Sequence, residues 1–352
     1  MKSFFGCDAH KKYSMFASTD EASRQGFSVR VANDRYQFRC FLHTLPPGSP
    51  IAVETVGNWY WMIDEMEEAG HKPRLTHAGK AKLMMGQINK TDKLDAKGLA
   101  LLLRNGTLPL VWIPPAELRD QRELPRMRMA LVHVRTMLKN RIHATLAKYA
   151  VEIREVSDIF GVSGRALLKR RLGELPLHTR RSVEAQLKLL DQVEQHIKLC
   201  EKQIEEIIEK TPEMRLLMTI PGVGSILATV IAMEVGEIDR FPSAQNLASY
   251  AGTVPRIKES GGRIRFGKVR PDVNRYLKWA LIEAANVVCL NQVRWPERHV
   301  VQLYRRIKQR RGHGKAVVAV ARHLAEATYW MLNRNEAYKE PKKSETVSST
   351  RK

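Results

Sequence analysis

The chain has 352 residues, of which 43% are hydrophobic and 27% charged, a composition typical of a globular protein with two or three domains. Its formal net charge of +22 favours a polyanionic partner, meaning nucleic acid or an acidic membrane surface. No apolar run reaches the about 18 residues that a membrane span requires, and the N-terminus lacks a signal-peptide pattern, so we expect no membrane association. The four cysteines lie far apart without metal-binding spacing, which argues against zinc and disulfides and indicates a reducing cytosol.

The first part of the chain, residues 1–112, has the pattern of an α/β domain. The β-like runs cover 3–8, 13–19, 26–32, 51–56 and the region near 73–77, and the helix-like stretches cover 34–45, 58–69 and 92–104. Strands joined by hairpins and followed by alternating helices and strands are the element order of ribonuclease-H-like nucleases. The sequence therefore predicts a ribonuclease-H-like α/β fold for this domain.

The middle of the chain, residues 113–212, changes to helical periodicity. Apolar residues step by 3 and 4 without a break, at Leu190, Val193, Ile197, Cys200, Ile204 and Ile207. This seam predicts a coiled-coil helix that packs in a helical hairpin or in a dimer contact, with an earlier helix at 126–149.

The third part, residues 213–338, is predicted to be a mostly α-helical domain. It begins with "TIPGVGSILATVIAMEVG" and ends with the amphipathic stretch "KAVVAVARHLAEATYWML". Residues 213–352 carry +13 of the net charge. The polar segment 339–352 is predicted to be a disordered tail.

Four carboxylates of the first domain occur where they can converge. Asp8 ends the first predicted strand, Glu54 lies in the fourth, and Asp92 and Asp95 begin a helix three residues apart, on one helix face. In a ribonuclease-H-like sheet the first and fourth strands are neighbours. Carboxylate oxygens gathered at one point favour Mg²⁺ or Mn²⁺, and two such ions about 4 Å apart can assist phosphodiester chemistry.

Each acid also has a simpler interpretation. Asp92 could cap a helix, and Asp95 could pair with Lys90, Lys93 or Lys97. For any one aspartate taken alone this interpretation is preferred, whereas four acids in the right elements and order favour the metal site.

A second candidate site lies in "PRIKESGGRIRFGKVRPDVNRYLK", which has eight Lys or Arg and only two acids. Ser260 precedes two glycines that would allow close backbone approach to a ligand. A serine hydroxyl needs a base, a metal or a cationic field to act as a nucleophile. From the residues alone, a turn serine in a basic DNA-binding loop is the preferred interpretation. The predicted phosphate contacts are Arg256, Lys258, Arg263, Arg265, Lys268 and Arg270 here, with Arg305, Arg306, Lys308, Arg310 and Arg311 in "YRRIKQRRGHGK".

Two other features are less specific. "IPGVGSILA" is compatible with a helix-hairpin-helix element that presents backbone N–H groups to a phosphate, or equally with a plain helix–helix turn. The histidines His10, His71, His77 and His133 show no ligand spacing, so none is assigned a role.

Taken together, six segments resemble one family of insertion-sequence transposases from about Phe4 to Tyr338. They are "GCDAHK", "AVETVGNWYW", "NKTDKLDAKGLALLL", "IPGVGSILATVIAMEVGEIDRFPSAQNLASYAGTVP", "ESGGRIRFGKVRPDVNRYLKWALIEAA" and "KAVVAVARHLA". The family combines a resolvase-like DEDD domain with a serine-bearing transposase domain, and its members are recognised as bridge-RNA-guided recombinases.

The resemblance implies that Asp8, Glu54, Asp92 and Asp95 match the metal-binding tetrad and that Ser260 matches the catalytic serine. The family usually has a serine where this chain has Glu259, so this carboxylate either points away from Ser260 or assists it.

The expected function is therefore a DNA transposase that excises and inserts its element by Mg²⁺-assisted phosphoryl transfer, with the two domains combining into one active site. Donor and target DNA and a non-coding guide RNA are the implied partners. The seam suggests a homodimer or homotetramer, and the implied location is cytoplasmic and nucleoid-associated. The alternatives are a resolvase-type metal-dependent nuclease that uses water, and a nucleic-acid-binding protein with a decayed catalytic domain.

Overall fold

The computed structural model describes residues 2–86, 91–207 and 211–341, except for the side chain of Ile207. Two compact units divide the chain, Met1–Ala116 and Glu117–Lys352, and each is described by itself. The predicted division into domains 1–112, 113–212 and 213–338 stays a prediction. Residues 342–352 of the predicted tail lie outside the described residues.

The first unit contains a mixed five-stranded sheet in the order β3-β2-β1-β4-β5. The strands are β1 Ser3–Ala9, β2 Tyr13–Asp20, β3 Gln25–Ala32, β4 Pro50–Glu54 and β5 Lys72–Thr76. The first three are antiparallel neighbours, whereas β1 with β4 and β4 with β5 are parallel. The five predicted strands are confirmed, and their order is consistent with a ribonuclease-H-like domain.

Helices cover both faces of this sheet. They are α1 Arg35–Leu42, α2 Trp59–Glu68, α3 Ala78–Met85 and α4 Asp92–Arg104. Phe16, Phe38 and Ile63 belong to the core shared with α1 and α2, while Leu99 of α4 belongs to a second core with α3. The predicted helix 92–104 is confirmed, and α3 was not predicted.

Helix α4 approaches strand β1 closely because Gly6 has no side chain. A Cβ atom built at Gly6 would lie 2.0 Å from the carbonyl oxygen of Ala96, which no side chain could tolerate. This contact fixes the first turn of α4 beside the end of β1, where the predicted carboxylates lie.

The second unit begins with α5 Ala116–Gln121, most of which lies in it, and continues with α6 Glu123–Lys148, α7 Val162–Arg171 and α8 Leu177–Ile207. Leu190, Val193 and Ile197 of the predicted seam form one core with Leu138 of α6. The described part of the seam is thus buried within the chain, as expected of a helical hairpin. A coiled coil between chains stays a prediction.

The rest of the second unit is mostly helical, as predicted. Its elements are α9 Pro212–Leu217, α10 Ser225–Val235, α11 Ala244–Tyr250, β6 Pro255–Ser260, β7 Arg263–Val269, α12 Arg275–Leu290, α13 His299–Arg311 and α14 His313–Arg334. Its core includes Ala284 of α12 and Leu324 of α14, both fully buried. The antiparallel pair β6-β7 was not predicted. Within the described ranges, no helix is both long enough and apolar enough to cross a bilayer.

A buried ion network joins α6 to this core. The Glu234 carboxylate accepts hydrogen bonds from Arg126 at 2.8 and 3.1 Å and from Asn274 at 2.8 Å. Arg122, also buried, donates to the carbonyl oxygen of Met233. A buried carboxylate needs such partners, so the network fixes the start of α6 against α10 and α12.

Candidate active site: a carboxylate cluster and a basic hairpin

The ends of two parallel strands bring Asp8 and Glu54 to one edge of the sheet. Cys7 is paired with Val53 in the register of β1 and β4, so the next residues, Asp8 and Glu54, follow side by side. Asp8 is only 7% exposed, whereas Glu54 is partly exposed. The structure therefore places these two acids at the ends of neighbouring parallel strands.

The first turn of α4 adds Asp92 and Asp95. The helix is capped by Thr91, whose hydroxyl accepts a hydrogen bond from the backbone N–H of Leu94 at 3.2 Å. The simpler interpretation of Asp92 as the cap is therefore wrong. Lys97, one of the lysines considered for Asp95, instead donates to the side-chain oxygen of Gln25 at 2.6 Å. Lys90 lies outside the described residues.

His10 lies between two of the carboxylates. Its Nε2 atom is 3.2 Å from Oδ2 of Asp8 and 3.2 Å from Oδ2 of Asp92. This nitrogen is buried and, among the described residues, has no partner with hydrogen-bond geometry. Ligand atoms of Asp8, His10 and Asp92 all lie within 4.8 Å of one another.

Tyr13 supports the cluster from strand β2. Its hydroxyl donates a hydrogen bond to Oδ2 of Asp92 at 2.7 Å, and this bond is the main reason why the pKa of Tyr13 is raised. The guanidinium of Arg30 lies 3.7 Å from the centre of the tyrosine ring. Tyr13 thus orients one predicted metal ligand, as an outer partner of a metal site does.

Neither His10 nor Tyr13 is among the site residues predicted from the sequence. A usable signal was present for His10, because side chains at i and i+2 of an extended chain point to the same side. His10 follows Asp8 at this spacing, at the end of a strand. Tyr13 could not be found in this way, because its contact with Asp92 depends on how β2 pairs and where α4 packs.

Burial and mutual repulsion disfavour the charged form of Asp8 in this cluster. Burial raises the pKa of Asp8, Asp95 and Asp92 raise it further, and His10 opposes the shift. Burial also raises the pKa of Cys7, and both Asp8 and Glu54 contribute to that rise. Two carboxylates and an imidazole form a donor set that suits a divalent cation, so the geometry suggests use of a divalent metal.

The second candidate site is a two-stranded hairpin made by β6 and β7. Gly261 and Gly262, with φ of 56° and 72°, form its two-residue turn. This left-handed conformation is costly for other residues and is the one that tight hairpin turns require. A Cβ atom at either glycine would have no neighbour within 4 Å, so conformation rather than close approach explains them.

The hairpin register separates Ser260 from Glu259. Ser260 is paired with Arg263, and Lys258 with Arg265. Since alternate residues of a strand point to opposite faces, these four side chains share one face, whereas Glu259 lies on the other. Of the two possibilities for this carboxylate, the structure shows the first, that it points away from the serine.

The other predicted phosphate contacts are on the surface of the second unit. Arg256 and Lys268 are exposed on the hairpin, and Arg270 forms an ion pair with Asp272. The strip 304–315 is mostly helix α13, on which Arg306, Lys308, Arg310 and Arg311 are exposed. Arg305, also exposed, donates to the carbonyl oxygen of Gln292 at 2.6 Å.

The segment "IPGVG" forms the turn between α9 and α10. Gly222 has a φ of 85°, and a Cβ atom there would lie 2.4 Å from the carbonyl oxygen of Ala284. The turn, Val287 and Arg298 line an open cavity at the N-terminus of α10. A phosphate contact at this helix end stays a prediction.

Comparison with known families defines the class of protein. A model described as a transposase, the IS110-type DEDD domain, matches residues 5–151. A second, described as the transposase IS116/IS110/IS902 family, matches residues 214–301. The chain belongs to the IS110/IS116 family of transposases and is a DNA transposase.

Individual relatives agree with this assignment. A probable family 20 transposase of Pseudomonas aeruginosa is 26% identical over 87% of this chain and 90% of its own length. The transposase for insertion sequence element IS1328 of Yersinia enterocolitica is 25% identical over 74% of this chain and 76% of its own. A pilin gene-inverting protein of Moraxella bovis is 28% identical over 39% of this chain and 43% of its own.

Proposed function

We propose that the chain excises and inserts its insertion-sequence element by a phosphoryl transfer in which Ser260 is the nucleophile. The observation that carries this proposal is the face of the hairpin on which Ser260 lies beside Lys258, Arg263 and Arg265, with Glu259 turned away. A phosphate that approaches Ser260 would therefore meet these three cations and would not meet the carboxylate of Glu259. A pilin gene-inverting relative also agrees with a DNA-recombining activity.

In this reaction the Oγ atom of Ser260 attacks a backbone phosphorus atom, and a bond from phosphorus to a deoxyribose oxygen breaks. The serine gives up its proton and the departing oxygen gains one. One DNA end then remains joined to the protein as a phosphoserine, and the hydroxyl of another strand can displace the serine. Lys258, Arg263 and Arg265 would offset the charge of the transferring phosphoryl group.

The carboxylate cluster would hold a divalent cation, Mg²⁺ or Mn²⁺. Asp8, His10 and Asp92 would be its ligands, with Glu54 and Asp95 beside them. When bound, the cation would polarise a phosphate oxygen. Tyr13 would keep the Asp92 carboxylate oriented through its 2.7 Å hydrogen bond. The carboxylate oxygens of the cluster are the ligand type that Mg²⁺ and Mn²⁺ prefer.

We further propose a non-coding guide RNA that pairs with donor and target DNA, on the strength of the family resemblance. In this arrangement the protein would contact mainly the backbone and shape of the nucleic acid.

We also propose a homodimer or homotetramer, because two DNA ends and two target strands must be handled together. The described part of the seam is buried within the chain. The contact between subunits would therefore use the exposed face of α8, which includes Leu189 and Leu199.

The test is a denaturing gel with labelled DNA and Mg²⁺ that reveals DNA joined to the protein. Ser260→Ala removes the nucleophile, so we expect the covalent band and recombination to disappear, with DNA affinity nearly unchanged. The matched control is Ser182→Ala, which changes an exposed serine of α8. An adduct that persists in Ser260→Ala would refute the assignment. If the wild type cuts DNA without an adduct, a water-using nuclease is the correct function, and if it only binds, the catalytic domain has decayed.

A further inference from the structure

The face of the hairpin opposite Ser260 is apolar and exposed. Ile257, Ile264 and Phe266 have 60%, 57% and 70% of their surface exposed. Ile257 is paired with Phe266, and Ile264 with Glu259, so all three apolar side chains share one face with Glu259. The described structure places nothing against this face.

Three exposed apolar side chains on one face of a hairpin indicate a surface that becomes covered when a partner binds. The two-stranded sheet β6-β7 is separate from the five-stranded sheet, and its residues 256–268 are all exposed. An isolated hairpin gains little stability from side chains that stay in water. Exposed apolar patches with a polar rim commonly mark binding surfaces, so we expect this face of the hairpin to bind a partner.

The charge of the hairpin selects among possible partners. Strands β6 and β7 contain five Lys or Arg and one carboxylate. A second copy of the hairpin is a poor partner, because its equal positive charge would repel this one. Three apolar side chains are also far fewer than the 20–30 residues that each side of a standard protein interface contributes. Nucleic acid suits both properties, because its phosphates attract the cations and its bases offer apolar faces.

An aromatic ring beside cations is the arrangement with which proteins bind unpaired bases. Base–aromatic stacking depends little on sequence, since every base has a flat face, whereas a paired and stacked base offers none. The hairpin turn leaves room for a strand to pass from the basic face to the apolar one, because neither Gly261 nor Gly262 has a side chain and both have open space beside them.

We propose that Phe266, flanked by Ile257 and Ile264, is a stacking platform for an unpaired nucleobase of the substrate. The phosphates of the same strand lie along Lys258, Arg263 and Arg265 on the other face. The inference rests on the proposed function only in that the substrate is nucleic acid that becomes unpaired during strand exchange. It does not require Ser260 to be the nucleophile.

The first experiment is photocrosslinking of the full chain to a 20-nucleotide oligothymidine that carries one 5-iodouracil. Iodouracil crosslinks efficiently to aromatic side chains that stack on it, and mass spectrometry identifies the peptide. We expect the crosslink at Phe266 and a loss of about ten-fold or more in Phe266→Leu, which keeps an apolar side chain but removes the ring. The matched control is Phe27→Leu, at an exposed phenylalanine of the first unit, which should leave the yield unchanged.

The second experiment measures the affinity for the same oligothymidine as a function of salt. Phe266→Ala should weaken binding by about 5- to 150-fold, the range expected for one base stacked on one ring, with an unchanged salt slope. Arg265→Ala should instead reduce the slope by about 0.7, the value for one phosphate of a single strand.

Two outcomes would overturn the inference. One is a crosslink at aromatic residues other than Phe266. The other is an unchanged affinity in Phe266→Ala together with an altered sedimentation coefficient, which would assign the apolar face to a protein contact. The result is separable from the proposed function, because Ser260→Ala should keep the crosslink at Phe266 even where it loses the covalent adduct.

Discussion

Two buried carboxyl groups of the first unit have pKa values shifted in opposite directions. Hydrogen bonds from Arg39 lower the pKa of Glu65, and the charge of Arg35 adds to this effect. Burial, together with Asp95 and Asp92, raises the pKa of Asp8. Charged Glu65 therefore stabilises the fold, whereas charged Asp8 is held at a cost that a bound cation would remove. Glu65 thus has the pKa shift of a structural group, whereas the shift of Asp8 agrees with its proposed role as a metal ligand.

We predict that Glu65→Gln lowers the free energy of unfolding at pH 7 by about 1.5–3 kcal/mol, the range for hydrogen bonds to a charged group. Because the folded-state pKa of Glu65 is lowered, its contribution is present above its unfolded pKa and is lost as the pH falls through the folded value. The difference between wild type and variant should therefore shrink in acid. Urea unfolding at several pH values measures it, and an equal difference at every pH would contradict the prediction.

We predict the opposite sign for Asp8→Asn in EDTA at pH 7. Burial and the neighbouring carboxylates of Asp95 and Asp92 disfavour the charged form of Asp8, so replacing it with a neutral side chain of the same shape should raise the melting temperature. Saturating Mg²⁺ or Mn²⁺ should stabilise the wild type and leave the variant unchanged, because a ligand that binds only the folded state stabilises it. Equal metal-induced shifts in both proteins would show that Asp8 is not a ligand.

At the scale of elements, the β6-β7 hairpin depends on its turn. The positive φ values of Gly261 and Gly262 allow the tight connection that pairs Ser260 with Arg263. A residue with a Cβ atom pays about 1–2 kcal/mol for this conformation. Substitution of these glycines should therefore disfavour the hairpin conformation.

We predict that the double change of Gly261 and Gly262 to Ala reduces formation of the covalent adduct by about 30-fold or more, from about 2 kcal/mol of combined strain. The matched control is Gly314→Ala, because Gly314 lies in the first turn of α14, without positive φ and with open space beside it. The rate of adduct formation on the denaturing gel measures both. A loss in the control as large as in the double variant would show that the turn conformation is not the cause.

The elements that could be predicted were those whose side chains repeat regularly. Helix α4 has Thr91 as its cap and a buried apolar face, and its predicted bounds are confirmed. Helix α3 could not be found in this way, because Ala81 is its only buried residue and Leu83 and Met84 face solvent.

The hairpin was missed because its positive charge concealed an alternation. Basic residues alternate with Ile257 and Glu259 before the two glycines and with Ile264 and Phe266 after them. Alternation on both sides of a Gly-Gly pair is a hairpin signal. Among the candidate site residues, the elements that carry the four carboxylates could be predicted from element order, while their role as metal ligands stays a prediction. The spacing of His10 from Asp8 was a local signal, whereas the approach of His10 to Asp92 depends on the packing of α4 against β1, which no local pattern records.

At the scale of the whole molecule, positive charge is the dominant feature. The net charge is +22, and the exposed basic residues of the hairpin and of α13 both lie in the second unit. Such a surface binds phosphates largely through release of their counterions, so affinity depends steeply on salt.

If 6–10 phosphates are neutralised, affinity for duplex DNA should drop by roughly 10³- to 10⁵-fold between 50 and 200 mM salt. Removing one contact with Arg310→Gln or Arg311→Gln should reduce the logarithmic salt slope by about 0.9. The control is Lys202→Gln, because Lys202 is paired with Glu206 on α8. Fluorescence anisotropy at several salt concentrations measures the slope, and a flat profile would contradict the prediction.

The alternation of the β6-β7 strands also restricts how this hairpin can change in length during evolution. Adding one residue to each strand of the hairpin turns its tip over relative to the domain, so that Ser260 and Phe266 exchange sides. Lengthening by two on each strand restores the orientation and moves the serine outward by about 7 Å. If the two faces have the proposed roles, we expect the length of each strand to change only by multiples of two residues, a restriction that a conformationally free loop would not have.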